Sequence, residues 1–212
     1  MKVTGSSGHL VSFDREKSGR GRRLLAGVDE AGRGCWAGPV VAAAVILPDG
    51  WCPEGLDDSK KLTALKREVF YEQIQASALS WGACAVSPRE IDRTNILRAT
   101  LSAMAGAVAR LNPRPDLVLV DGLQVPEVVC PVEALVRGDA TSAAIAAASV
   151  VAKVLRDRVM SVWDRHFPGY GFASHKGYGA DAHRLALLRL GPCPLHRLSY
   201  RPVAALDQGK LF

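Results

Sequence analysis

The chain has 212 residues, 48% of them hydrophobic and 23% charged, a make-up that excludes a disordered or fibrous protein and suits one large domain with a sizeable core. Its 27 basic residues outnumber 21 acidic ones to give a formal charge of +6, which favours polyanionic partners. The longest apolar run, CWAGPVVAAAVILP, is too short for a membrane span and is broken by Gly38 and Pro39.

The first twenty residues carry no apolar segment of the kind a secretion signal needs. The five cysteines, Cys35, Cys52, Cys84, Cys130 and Cys193, are odd in number, scattered and without a CxxC pair. They are expected to be reduced thiols of a cytoplasmic protein.

In chain order, residues 1–23 mix Gly, Ser and basic side chains without periodicity and predict a loose tail. LLAGVD and VVAAAVILP predict two buried strands, and 62–78 an amphipathic helix. A third strand is expected over 79–87. The helix after it, opening at Ser87 and Pro88, runs on until Asn112–Pro115. DLVLVDG, 116–122, is a strand buried on both faces, and VEALVRGD, 132–139, a shorter strand ending in an acid. Residues 141–167 predict a long helix whose small-residue first half can pack very close to a sheet, and a last helix covers about 180–190. Strands alternating with helices give an α/β architecture with helices on a mixed sheet.

Three of these strands finish in carboxylates: Asp29 with Glu30, Asp121, and Asp139. Side by side in one sheet, such acids raise one another's pKa and destabilise the fold unless a cation lies between them. All-oxygen ligands select a hard ion such as Mg²⁺ over zinc. Two such ions roughly 3.5–4 Å apart perform phosphoryl transfer. Beyond the acidic pair, Gly32-Arg33-Gly34 forms a turn whose backbone can approach a ligand closely while Arg33 offers a fork for phosphate. From Lys153 to Arg201 nine Lys and Arg face three Asp, so this stretch is the place to seek phosphate contacts.

Six segments together resemble the type 2 ribonucleases H, the bacterial ribonuclease HII family: GVDEAGRGxxAGPVVAAAV at 27–45, LDDSKKLT at 56–63, NILRATLSAM at 95–104, LVDG at 119–122, RGDATSAAIAAASVVAKVLRDRVM at 137–160 and YGFASHKGYG at 170–179. The resemblance implies a ribonuclease H-like mixed five-stranded sheet with a C-terminal helical extension over 24–203, followed by a C-terminal tail, 204–212. It implies a metal-dependent endoribonuclease, here expected to be a monomer, that cuts the RNA strand of RNA–DNA hybrids and nicks duplex DNA 5′ to embedded ribonucleotides, leaving a 3′-hydroxyl and a 5′-phosphate. Asp29, Glu30, Asp121 and Asp139 would hold two divalent ions, Mn²⁺ or Mg²⁺. Gly32, Arg33 and Gly34 would read the ribonucleotide 2′-hydroxyl, Tyr178 would pack on the following deoxyribose, and Lys60 and Lys176 would contact the backbone. Cys35-Trp36 departs from the family pattern, which has Pro-Leu there. The last residues, AALDQGKLF, end in Leu211-Phe212 and offer a dock for a sliding clamp.

Two other functions share parts of this pattern. A junction-cutting nuclease would use the same carboxylates without a 2′-hydroxyl reader, and a non-catalytic binder would use the basic stretch alone.

Overall fold

The computed structural model describes residues 7–20, 23–56 and 62–207. The chain opens with helix α1, Gly8–Lys17, then strands β1, Leu25–Ala31, and β2, Val40–Ile46. Helix α2, Ala64–Ser77, leads to β3, Ser80–Val86, and the short α3, Pro88–Arg93, to α4, Ile96–Val108. After β4, Leu117–Asp121, and β5, Val132–Leu135, a 3-10 turn at Gly138–Ala140 enters the long α5, Ala143–His166. The C-terminal region adds α6, Phe172–His175, α7, Asp181–Leu190, and α8, Arg201–Asp207.

The five strands form one sheet in the order β3-β2-β1-β4-β5. β1 is antiparallel to β2 and parallel to β4, so the sheet is mixed, as expected. The β1–β4 ladder closes on the pair Val28 and Val120, which leaves Asp29 and Asp121 side by side just beyond it.

Helix α5 covers one face, packing with α1 and α2 over Ala43 and Val45, and α4 covers the other, over Val28 and Val40. The small residues of α5 have a measurable consequence at Gly27, where a Cβ would stand 2.1 Å from the Ala144 carbonyl carbon and the Ile145 nitrogen. Only glycine tolerates a helix lying that close to its strand. A third cluster, with Met160, Phe172 and Leu187, ties the C-terminal helices to the end of α5.

Several expectations are corrected. The loose tail over 1–23 contains α1, because Leu10 and Val11 are buried in the main core. The single helix after Pro88 is two, since Asn95 has extended backbone and caps α4 by accepting from the Arg98 nitrogen. Residues 204–207, assigned to a tail, belong to α8. Residues 208–212, with Leu211 and Phe212, lie outside the described residues. All five cysteines are free, and no helix among the described residues is long and apolar enough to cross a membrane.

Candidate active site

Asp29 lies in β1 on the face covered by α5, one residue past the β1–β4 ladder, and is 4% exposed. Its Oδ1 accepts from the Glu30 nitrogen at 2.7 Å, and Ser149 of α5 hydrogen-bonds its carboxylate. Asp121 stands at the adjoining end of β4, and its Oδ1 accepts from the Gly138 nitrogen at 2.7 Å. That bond fixes the turn holding Asp139, which is 6% exposed. The expected strand over 132–139 stops at Leu135. Arg137, in the left-handed region at φ 56°, reverses the chain and places Asp139 on the 3-10 turn instead of a strand end.

The three aspartates converge as the charge argument requires: one carboxylate oxygen from each lies within 4.8 Å of the others. Burial first, then the charges of Glu30 and Asp121, push the Asp29 carboxyl well above its ordinary range. A hard cation among these oxygens would reverse that shift, so the donor set fits Mg²⁺ or Mn²⁺. Glu30 is not part of this threefold group. Successive strand side chains point to opposite faces, and Glu30 accepts instead from Arg33, Nη1 to Oε1 3.3 Å.

The turn after β1 leaves Arg33 and Gly34 exposed and buries Gly32, whose φ is +101° and whose Cβ would lie 2.0 Å from Arg156 Nε. Arg156 and Arg197, both 0% exposed, mould this region. Arg156 donates to the carbonyls of Pro39, Ala37 and Lys176 at 3.0, 3.2 and 2.9 Å. Arg197 donates to those of Gly32, Arg33 and Gly38 at 2.7, 2.8 and 2.9 Å. Two of the nine cations counted toward a phosphate-binding stretch are therefore internal braces. The sequence held a signal for Arg156: it stands in the buried stripe Ala152-Arg156-Met160, one helical turn apart.

Tyr178 is 43% exposed. Its ring lies 5.4 Å from Lys153 Nζ. The Trp36 ring packs 5.5 Å from that of His183, and the Trp36 and Ala37 nitrogens donate to the Gly177 carbonyl at 2.8 and 3.3 Å, fastening the two loops together. Lys176 spends its ammonium on Ser161 Oγ at 2.7 Å. Lys60 lies outside the described residues.

His183 and His196 are held as neutral rings, burial lowering the pKa of both to about 4. The His183 Nδ1–H donates to the Tyr178 carbonyl at 2.8 Å, so its Nε2 accepts from His196 Nε2 at 3.0 Å. His196 Nδ1 in turn accepts from the Cys193 nitrogen at 2.9 Å. His175 bonds the Tyr170 carbonyl and accepts from the Gly177 nitrogen.

A mixed sheet of this order, with carboxylates gathered where its parallel strands end, places the molecule among nucleases of the ribonuclease H fold. The solved ribonuclease H2 of Pyrococcus horikoshii OT3 is similar, with a TM-score of 0.74 and 25% identity over 88% of this chain and 98% of that one. The ribonuclease HII in a complex with PCNA from Archaeoglobus fulgidus superposes with a TM-score of 0.63 and 26% identity over 89% of this chain and 91% of that one. The family model described as Ribonuclease HII matches residues 26–203. Ribonuclease HII of Syntrophotalea carbinolica is 52% identical over 90% of this chain and 91% of its own length. The chain belongs to the ribonuclease HII family, a family of hydrolytic nucleases.

Proposed function

We propose that this chain is a cytoplasmic, monomeric endoribonuclease that cuts the RNA strand of RNA–DNA hybrids and nicks duplex DNA 5′ to an embedded ribonucleotide, leaving a 3′-hydroxyl and a 5′-phosphate. The observation that carries this reading is continuity. The chain runs from Asp29 and Glu30 in β1 through the exposed turn to Cys35, and the next residue, Trp36, donates its backbone nitrogen to the Gly177 carbonyl beside Tyr178 at 2.8 Å. Cleavage chemistry, a backbone surface and a sugar-sized ring therefore lie along one path.

Asp29, Asp121 and Asp139, with Glu30 at the rim, would hold two divalent cations, Mg²⁺ or Mn²⁺. When bound, these ions supply an activated water and stabilise the leaving oxygen of the phosphodiester. The chain's own groups do the rest. Gly32, Arg33 and Gly34 offer backbone donors and acceptors to the 2′-hydroxyl, the group that marks RNA. Tyr178 presents its ring to the next sugar, where a hydroxyl would collide with it. Arg33, with Lys176 and Lys60, serves the phosphates.

An end-labelled DNA duplex carrying one ribonucleotide, incubated with Mg²⁺, Mn²⁺ or chelator, tests the proposal. A single metal-dependent nick 5′ to the ribonucleotide is expected, with the all-DNA control intact. Equal cutting of an all-DNA branched junction would replace it with the junction-nuclease function.

A sliding clamp is proposed as partner through Leu211 and Phe212. The Archaeoglobus relative, solved as a PCNA complex, supports this. Deleting 206–212 should abolish co-elution with a clamp, and unchanged co-elution would refute the assignment.

A further inference from the structure

The exposed turn is shaped from behind. Arg197 has no exposed surface, and no carboxylate among the described residues pairs with it. Its five N–H hydrogens are matched by five hydrogen bonds. Nε and Nη2 donate to the Gly38 carbonyl at 3.1 and 2.9 Å, and Nη2 also to Gly32 at 2.7 Å. Nη1 donates to the Arg33 carbonyl at 2.8 Å and to the Tyr200 hydroxyl at 2.9 Å. The Tyr200 hydroxyl then donates to the same Arg33 carbonyl at 2.6 Å.

The brace is itself anchored. Asp92 of α3 accepts from the nitrogens of Leu198 and Ser199 at 2.9 and 3.0 Å and from Ser199 Oγ at 2.5 Å. The Arg197 nitrogen donates to the Trp36 carbonyl at 2.8 Å.

A trans peptide sets its C=O and the following N–H in opposite directions. With the carbonyls of Gly32 and Arg33 both turned onto one buried guanidinium, the amides of Arg33 and Gly34 must point away from it. That side is the exposed one, and a Cβ placed on Gly34 would meet nothing within 4 Å there. The result is two successive N–H donors presented beside the acidic cluster.

We infer that Arg197, steadied by Tyr200, is the positioning residue that sets the preference for a ribonucleotide, by holding the Arg33 and Gly34 amides outward for the 2′-hydroxyl. This rests on the proposed role of Gly32–Gly34 as the 2′-hydroxyl reader. Lysine cannot replace it, because an ammonium has three donors on a point charge and cannot span three carbonyls in one plane.

The test compares KM for a duplex with one ribonucleotide with Ki for the same duplex, all-DNA, as competitor. It uses the full chain, Arg197→Lys and Tyr200→Phe, with thermal midpoints recorded for each. Wild type should give KM well below Ki. In both variants KM should rise about fivefold or more, the order of one lost hydrogen bond, toward a Ki that stays within about twofold of wild type. Should Arg197→Lys fail to fold, Tyr200→Phe, which deletes one hydroxyl, gives the same readout. Unchanged KM in Tyr200→Phe, or KM and Ki rising together, would overturn the inference. Equal KM and Ki in wild type would instead overturn the reader role of the turn, and this inference with it.

Discussion

Two groups of buried charge flank the end of β1, and they are satisfied in opposite ways. On one side Asp29, Asp121 and Asp139 bring oxygens within 4.8 Å of one another, and burial with like charge drives Asp29 toward protonation. On the other, Arg156 and Arg197 are fully buried cations whose donors end on backbone carbonyls and, for Arg197, on the Tyr200 hydroxyl as well. The second group is complete within the chain and serves as scaffold. The first is incomplete without a cation, since like charges in a low-dielectric site cannot all ionise. Buried charge alone therefore does not mark a functional site; buried like charges that converge on one point do.

The largest expected effect separates the two groups by stability and activity at once. Asp29→Asn should lower cleavage by about a thousandfold or more, the several kcal/mol that metal charge contributes to the transition state. The same change removes a carboxylate that burial disfavours, so the metal-free variant should melt above metal-free wild type. Added Mn²⁺ or Mg²⁺ should raise the wild-type midpoint through binding to the folded state and raise that of Asp29→Asn less. Melting curves with and without metal check this. A metal-free variant less stable than wild type would mean that Asp29 is compensated inside the chain, as the arginines are.

The acidic group was legible in the sequence because acids at strand ends after apolar runs break the hydrophobic pattern. Asp29 and Asp121 followed from the two strands alone. Asp139 was found for a partly wrong reason: its turn depends on the left-handed Arg137 and on the bond from Gly138 to Asp121, neither of which a pattern of apolar residues reveals. Glu30 follows Asp29 in the strand, so alternation turns its side chain to the other side and sets it at the rim of the threefold group. The brace was hidden. A basic side chain is normally a surface residue, and only its carbonyl partners, distant in sequence at 32, 33 and 38, reveal Arg197 as internal. Helix α1 was missed because two buried residues, Leu10 and Val11, carry its docking in a segment otherwise rich in polar side chains.

The smallest effect tests whether one buried acid behaves like the cluster. Asp14 of α1 accepts from the Ala144 nitrogen at 2.8 Å at the start of α5, while its Oδ1 is buried without a hydrogen bond. Burial raises its pKa from 3.8 to about 6. The folded state thus binds more protons than the unfolded state between those values, and this group costs stability as pH rises through them, about 3 kcal/mol in full. The neutral histidines act with the opposite sign. Burial lowers His183 and His196 from 6.5 to about 4, so the stability they contribute above pH 6.5 is lost as pH falls toward 4. In Asp14→Asn only the first contribution disappears. Relative to wild type, the metal-free variant should gain stability progressively from pH 4 to 6 and hold a constant advantage above, measured by urea unfolding at each pH. An unchanged difference across that range would show that Asp14 is ionised at little cost. A single buried acid can shed its charge by taking a proton, whereas three converging ones at neutral pH require a metal, and the pH profile distinguishes the two solutions.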